Sequence, residues 1–163
     1  MVEPHLRRRA RMRAKDAKRF IDALDASFGI GAALPESVEK ADAGDRAVLV
    51  ADGRVLAFIF DDEQVIPTCH LLMKARPAKA FVTVDMGAVR FVNNGADTMA
   101  PGITDADEAI QVGDFVWIRD EKNGVPLGVG EAMMTGPQMA AERKGKAVKA
   151  MHHVGDDWWN LEV

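Results

Sequence analysis

Two pairs of residues carry donors suited to metal binding or nucleophilic catalysis. They are Cys69-His70 and His152-His153. Neighbours on a strand point to opposite faces, so neither pair can chelate one ion by itself. The chain has a single cysteine, which excludes an intramolecular disulfide and a Cys-rich zinc site. Cys69 is therefore expected to be a small buried hydrophobe. The acidic triplet Asp61-Asp62-Glu63 reads as a solvated turn. No nucleophile elbow, phosphate-cradling glycine loop, HExxH or dinucleotide fingerprint occurs. The sequence thus predicts no enzyme, no cofactor and no metal.

Binding chemistry is better represented. Residues 1–19 contain eight basic groups and two acids, a net charge of +6. Arg7, Arg8, Arg9, Arg11 and Arg13 crowd there without aromatic or amide neighbours. Such a cluster attracts phosphate but reads no base. The other 144 residues carry −10, so the body is not a generic nucleic-acid coat. A second feature is the glycine-punctuated passage 83–104, TVDMGAVRFVNNGADTMAPGIT. Gly87, Gly95 and Gly102 stand where a left-handed backbone or the close approach of another chain is needed.

These groups must be positioned by regular elements. Ala17, Phe20, Ile21, Leu24 and Phe28 recur three or four apart, predicting a helix from Arg9 to Phe28 stopped by Gly29 and Gly31. The basic cluster would then fill its N-terminal half, the end where the helix dipole least favours cations. Residues 46–60, RAVLVADGRVLAFIF, place Asp52-Gly53 between two β-branched runs, a type I′ hairpin. Val65-Ile66 begins a third strand, and Leu71 to Met73 form a short buried helix or turn. Arg76-Pro77 is the expected joint between domains 1–77 and 78–163.

The second half predicts a strand Phe81 to Val84, then a helix Met86 to Asn93 capped by Asp85 and closed by Asn94-Gly95. Ala96 to Met99 are extended, and residues 104–109 form an acidic loop. Strands Phe115 to Ile118 and Val125 to Ala132 meet at Asn123-Gly124, read as another type I′ turn. A helix Thr135 to Glu142 and an extended run Val148 to Val154 follow. Many short strands with glycine-marked turns indicate a partly closed β-barrel.

The 163 residues are 48% apolar and 28% charged, which excludes a disordered or fibrous chain. No apolar run is long enough to span a membrane, and the basic N-terminus lacks the apolar core of a secretory signal. A reducing, cytoplasmic location is expected.

Val84-Asp85-x-Gly87-Ala88-x-x-Phe91-Val92-x-x-Gly95-Ala96-x-x-Met99-x-Pro101-Gly102-Ile103, then Gly113-Asp114-x-Val116, closely resembles the PUA domain. The likeness runs on through Leu127-Gly128-Val129-Gly130, Met133, Lys144-Gly145 and the His-rich, Trp-ending strand, covering about residues 78–159. The helix, hairpin and Pro67-Thr68 before Leu71-Leu72 are similar to the small domain preceding PUA in the malignant T-cell-amplified-sequence-like proteins and their archaeal counterparts. The basic start Leu6 to Arg19 is no part of that likeness.

The resemblance implies an α+β chain, a small α/β pre-PUA domain followed by a PUA pseudo-β-barrel. It also implies binding of structured RNA, tRNA or rRNA, in translation initiation, reinitiation or recycling, with the small ribosomal subunit or a translation factor as partner. The surface it implies is Arg90, Asn93, Asn94, Gly95, Ala96 and Gly102. A second edge is Arg143, Lys144, Lys146, Lys149 and His152. Lys146 and Lys149 lie an odd number of residues apart, so one of them is expected to face away. Trp158 and Trp159 offer either base-stacking rings or rim anchors. Two other readings compete. One is an accessory subunit of an RNA-modification enzyme such as a pseudouridine synthase or tRNA-guanine transglycosylase. The other is a protein adaptor using the acidic body.

Overall fold

The structure is a computed structural model that describes residues 4–60 and 64–163. The acidic turn Asp61-Asp62-Glu63 and Glu3 of the basic arm lie outside the described residues. The chain divides into two compact units, Met1–Arg76 with Asp157–Val163, and Pro77–Asp156.

The first unit begins with strand β1 (Arg7–Arg11), helix α1 (Ala14–Phe28) and a 3-10 turn (Gly31–Ala33). Strands β2 (Glu39–Ala43), β3 (Arg46–Ala51), β4 (Arg54–Ile59) and β5 (Val65–Pro67) follow, then helix α2 (Cys69–Lys74). The five strands form one antiparallel sheet in chain order. Helix α1 buries Ala17, Phe20, Leu24 and Phe28, the expected apolar stripe. Asp52 and Gly53 both take positive φ (54° and 75°), as a type I′ turn requires.

The expected helix from Arg9 is shorter by five residues. Between residues 4 and 17 only Leu6 and Met12 are large and apolar, and neither continues the three-or-four spacing of the buried stripe, so another helical turn would gain little from the core. Residues 7–11 instead pair with β2, where Arg9 bonds Glu39 and Arg8 lies 3.7 Å from Asp42. Arg7, Arg8, Arg9 and Arg11 thus stand on an edge strand rather than in a helix, while Arg13 is the N-cap of α1 and Lys15 and Lys18 remain in its N-terminal half. Strand β2 was not anticipated, because EKADA carries almost no β-branched or aromatic signal.

The second unit contains β6 (Phe81–Val84), α3 (Met86–Asn93), β7 (Thr98–Met99), a 3-10 turn (Ala100–Gly102) and β8 (Ile103–Ala106). It continues with β9 (Phe115–Asp120), β10 (Pro126–Ala132), α4 (Gly136–Ala141) and β11 (Lys146–His153). The sheet order is β7-β11-β10-β9-β6-β8, with only β6 and β9 parallel. Its two edge strands, β7 and β8, are joined by the 3-10 turn alone, giving a nearly closed barrel. Val82, Val84, Val116, Ile118 and Val148 fill its centre.

Two local expectations change here. Residues 104–106 are not loop but the body of β8, paired with β6. Asn123-Gly124 is not a type I′ turn, since only Gly124 has positive φ. A longer loop is closed by the Asp120 carboxylate, which accepts from the N–H groups of Asn123 (2.6 Å) and Val125 (3.3 Å).

Helix α5 (Asp157–Asn160) and the last residues pack in the first unit rather than ending the second. Trp158 meets Phe58 edge-on at 5.1 Å, and Trp159 stacks on His70 at 3.9 Å. The Trp159 carbonyl accepts from His70 Nε2 (2.8 Å) and Arg54 Nη1 (3.3 Å), and the Val163 N–H donates to the Gly53 carbonyl (3.0 Å). Both indoles are anchors, and His70 is held by one of them. Cys69 is fully buried. Among the described residues no helix is long and apolar enough to cross a membrane.

Candidate nucleic-acid interface

Helix α3 starts where the Asp85 carboxylate accepts from the Ala88 N–H at 2.8 Å. It ends at Asn94, after which Gly95 takes φ +85° and the Ala96 N–H returns to the Phe91 carbonyl. A β-carbon on Gly95 would lie 3.1 Å from His153 Nε2, so the bare backbone packs directly on that ring. Gly102 meets the helix similarly, its missing β-carbon 3.1 Å from that of Ala88. Between helix and loop runs a groove of roughly 470 Å³, lined by Phe91, Ala96, Asp97, Thr98, Met99 and Gly102 among others. Phe91 and Met99 are about half exposed there. Thr98 is 4% exposed, and its Oγ1 is the only buried side-chain polar atom without a hydrogen-bond partner among the described residues. An apolar, partly aromatic slot with one unmatched hydroxyl suits a flat ligand with polar edges.

The cations surround this groove. The Arg90 guanidinium lies over the Phe91 ring at 4.8 Å. Lys146 Nζ is 2.9 Å from Asp97, whose other oxygen accepts from the Ala150 N–H at 2.7 Å. The Lys146 hydrogen bond first, then the Ala150 N–H, hold the Asp97 carboxyl below its ordinary range. The Gly145 carbonyl accepts from Ala100, so the exposed turn with Arg143 and Lys144 is tied to the groove's far wall. Asn93, Asn94 and Ala96 are exposed, and Gly95 is half-buried.

Lys146 and Lys149 do not face opposite ways. The register slips between Lys146/Met99 and Val148/Thr98, so Ala147 and Val148 are buried in succession and both lysines point outward. His152 is corrected more sharply. Its side chain is fully buried with Nδ1 2.8 Å from the Asp156 carboxylate, and it presents nothing to a ligand. Its neighbour His153 is half-buried, its ring against Gly95, the residue before groove-lining Ala96. The opposite-face rule implied that only one of the pair could be exposed; sequence had no means of telling which.

The arginines of β1 belong to the other unit. All of Arg7 to Arg11 are exposed, as is Arg13. Arg8 and Arg9 are committed to the acids of β2, which leaves Arg7, Arg11 and Arg13 without an ion pair among the described residues. No group of three or more His, Cys, Asp or Glu residues could hold a metal ion among the described residues.

Comparison with known proteins bears on this geometry. Residues 80–154 match the PUA domain family. An uncharacterized protein of Methanocaldococcus jannaschii is 42% identical over 160 residues, 96% of this chain and 98% of its own length. Translation machinery-associated protein 20 of Saccharomyces cerevisiae is 37% identical over 118 residues, 69% of this chain; the match spans 65% of the yeast protein. Among solved structures, a conserved PUA domain protein from Thermoplasma acidophilum is 31% identical. It superposes with a TM-score of 0.82 over 93% of this chain and 97% of its own.

Proposed function

Because the chain belongs to the PUA-domain proteins, in the malignant T-cell-amplified-sequence-like subfamily, we propose that it is a non-enzymatic RNA-binding protein acting in translation. It binds structured RNA, a tRNA or rRNA, as a cytoplasmic partner of the small ribosomal subunit or of a translation factor. The observation that carries this reading is the groove along α3. It joins an apolar slot, a glycine backbone open to close approach, and a surround of five exposed cations: Arg90, Arg143, Lys144, Lys146 and Lys149. Folded RNA is recognised through shape, phosphate and ribose, for which such a surface is suited. The yeast relative named for the translation machinery supports the process assigned.

Two surfaces contribute differently. The groove selects structured RNA, and β1 adds phosphate attraction without selection. Among the described residues Arg7, Arg11 and Arg13 have no ion pair and supply this attraction, while Arg8 and Arg9 face the acids of β2.

The test is equilibrium binding of a tRNA transcript and an unstructured oligoribonucleotide across a salt series. With four to six phosphates neutralised, the log–log slope for wild type is about −3 to −5. Replacing Arg7, Arg11 and Arg13 by alanine flattens it by about 2 to 3 and weakens both RNAs alike. Replacing Arg90 and Lys144 weakens the tRNA more than the oligomer. A salt-independent affinity, or loss of tRNA preference in the β1 variant alone, refutes the assignment.

A further inference from the structure

We infer that His153 is a ribose sensor: its Nε2 accepts a hydrogen bond from a 2′-hydroxyl of RNA lying against the Gly95 backbone. This rests on the RNA-binding reading above and specifies what the end of that site recognises. Three observations carry it.

The ring's tautomer is set by its surroundings. Nδ1 lies 2.9 Å from the Val154 carbonyl oxygen, which can only accept, so Nδ1 carries the proton. In that tautomer Nε2 is the ring's hydrogen-bond acceptor. The same Nδ1 bond orients the ring, and the backbone N–H of His153, donating to Asp156 at 3.0 Å, holds the end of β11 that carries it.

Nε2 is also available. Among the described residues it has no hydrogen-bond partner, and it is not among the buried polar atoms lacking one, so it is not sealed from solvent. The neighbouring position is Gly95, where a side chain would come within 3.1 Å of Nε2. Glycine at this position therefore leaves Nε2 uncovered, where any side chain would lie against it.

The third point is chemical. The exposed cations around this surface that have no ion pair among the described residues, Arg90, Arg143, Lys144 and Lys149, are matched to phosphate oxygens. Phosphate and ring oxygens only accept, so they gain nothing from an acceptor at Nε2. Along an RNA backbone the sole hydrogen-bond donor is the 2′-hydroxyl, the group that separates RNA from DNA. An acceptor set among cations therefore matches sugar rather than phosphate.

The experiment uses the full chain and two synthetic hairpins of one sequence, one all-ribose and one all 2′-fluoro. Fluorine preserves the A-form sugar pucker but cannot donate. Wild type is expected to bind the ribose hairpin about 5- to 10-fold more tightly, the worth of one ordinary hydrogen bond. His153→Phe keeps a ring and removes the acceptor. It is expected to lose about that factor on the ribose hairpin and to leave the 2′-fluoro hairpin unchanged. His153→Gln, which retains an acceptor of similar reach, keeps most of the discrimination and serves if the phenylalanine variant does not fold. The inference is overturned if His153→Phe weakens both hairpins equally, if its discrimination matches wild type, or if His153→Gln discriminates no better than His153→Phe. Equal binding of the two hairpins by wild type overturns it while leaving RNA binding intact. No binding of either hairpin overturns the RNA-binding reading itself.

Discussion

Gly95 allows the cost of backbone conformation and the cost of crowding to be separated by experiment. It combines φ +85° with a site where a β-carbon would meet His153 Nε2 at 3.1 Å and Cδ2 at 3.4 Å. Gly113 has the conformation without the crowding, at φ +93° with nothing within 4 Å. Gly102 has the crowding without the conformation, facing the Ala88 β-carbon at 3.1 Å. A left-handed L-residue costs about 1–2 kcal/mol. Replacing glycine by alanine returns about 0.4–1 kcal/mol by restricting the unfolded chain. Gly113→Ala should therefore destabilise by about 0.5–1 kcal/mol. Gly95→Ala should cost about 1–2 kcal/mol, because the His153 ring must also shift. Gly95→Val should cost about 3 kcal/mol, since a β-branched side chain is least tolerant of positive φ. Gly102→Ala should stay under about 1 kcal/mol, as a single methyl contact can relax. Urea denaturation followed by circular dichroism gives all four values. The reasoning is refuted if Gly95→Val lies within 0.5 kcal/mol of wild type (the ordinary range for a neutral surface change), or if Gly102→Ala exceeds Gly95→Ala.

Asp97→Ala strands the Ala150 N–H and should destabilise by about 1–2 kcal/mol, while Asp97→Asn keeps an acceptor and costs less. Because the folded carboxyl titrates below its ordinary range, its contribution is complete above the unfolded value near about 4 and is lost as pH falls through the lower, folded one. The melting-temperature gap between wild type and Asp97→Asn should accordingly shrink from pH 7 to pH 3; a constant gap would contradict it. Trp159→Ala removes the ring stacked on His70 and should cost about 2–3 kcal/mol, felt in one unit only. Hydrogen exchange should show lost protection in β3 and β4 with β9 and β10 unchanged, and uniform loss would argue against it.

The parts of this fold legible in sequence are those set by local chemistry. Asp52-Gly53 dictates its turn through φ alone, and Asp85 caps α3 because its carboxylate reaches an N–H three residues on. The Thr135 and Gln138 side chains close a capping box at α4 in the same way. What stayed hidden depends on distant partners. Strand β1 exists because β2 supplies acids some thirty residues away. The outward aim of both Lys146 and Lys149 follows from a bulge that no residue type announces. Of the expected site, α3 and its glycine loop were readable from the motif. Which of His152 and His153 is buried was not, because periodicity gives alternation but not phase.

The return of residues 157–163 to the first unit has a consequence for how the protein is made. The second unit is an insertion within the first, so the order of synthesis and the order of completion differ. A domain ordinarily finishes folding as it leaves the ribosome, N-terminal part first, at about 5–20 residues per second. Here the second unit has all of its strands once Asp156 has emerged. The first unit, though translated earlier, still lacks the rings that cover Phe58 and His70. For the several seconds needed to translate the intervening segment, an apolar face of the nascent chain stays open beside the ribosome's exit. The later-encoded unit closes first, and the earlier one is sealed afterwards by residues 157–163.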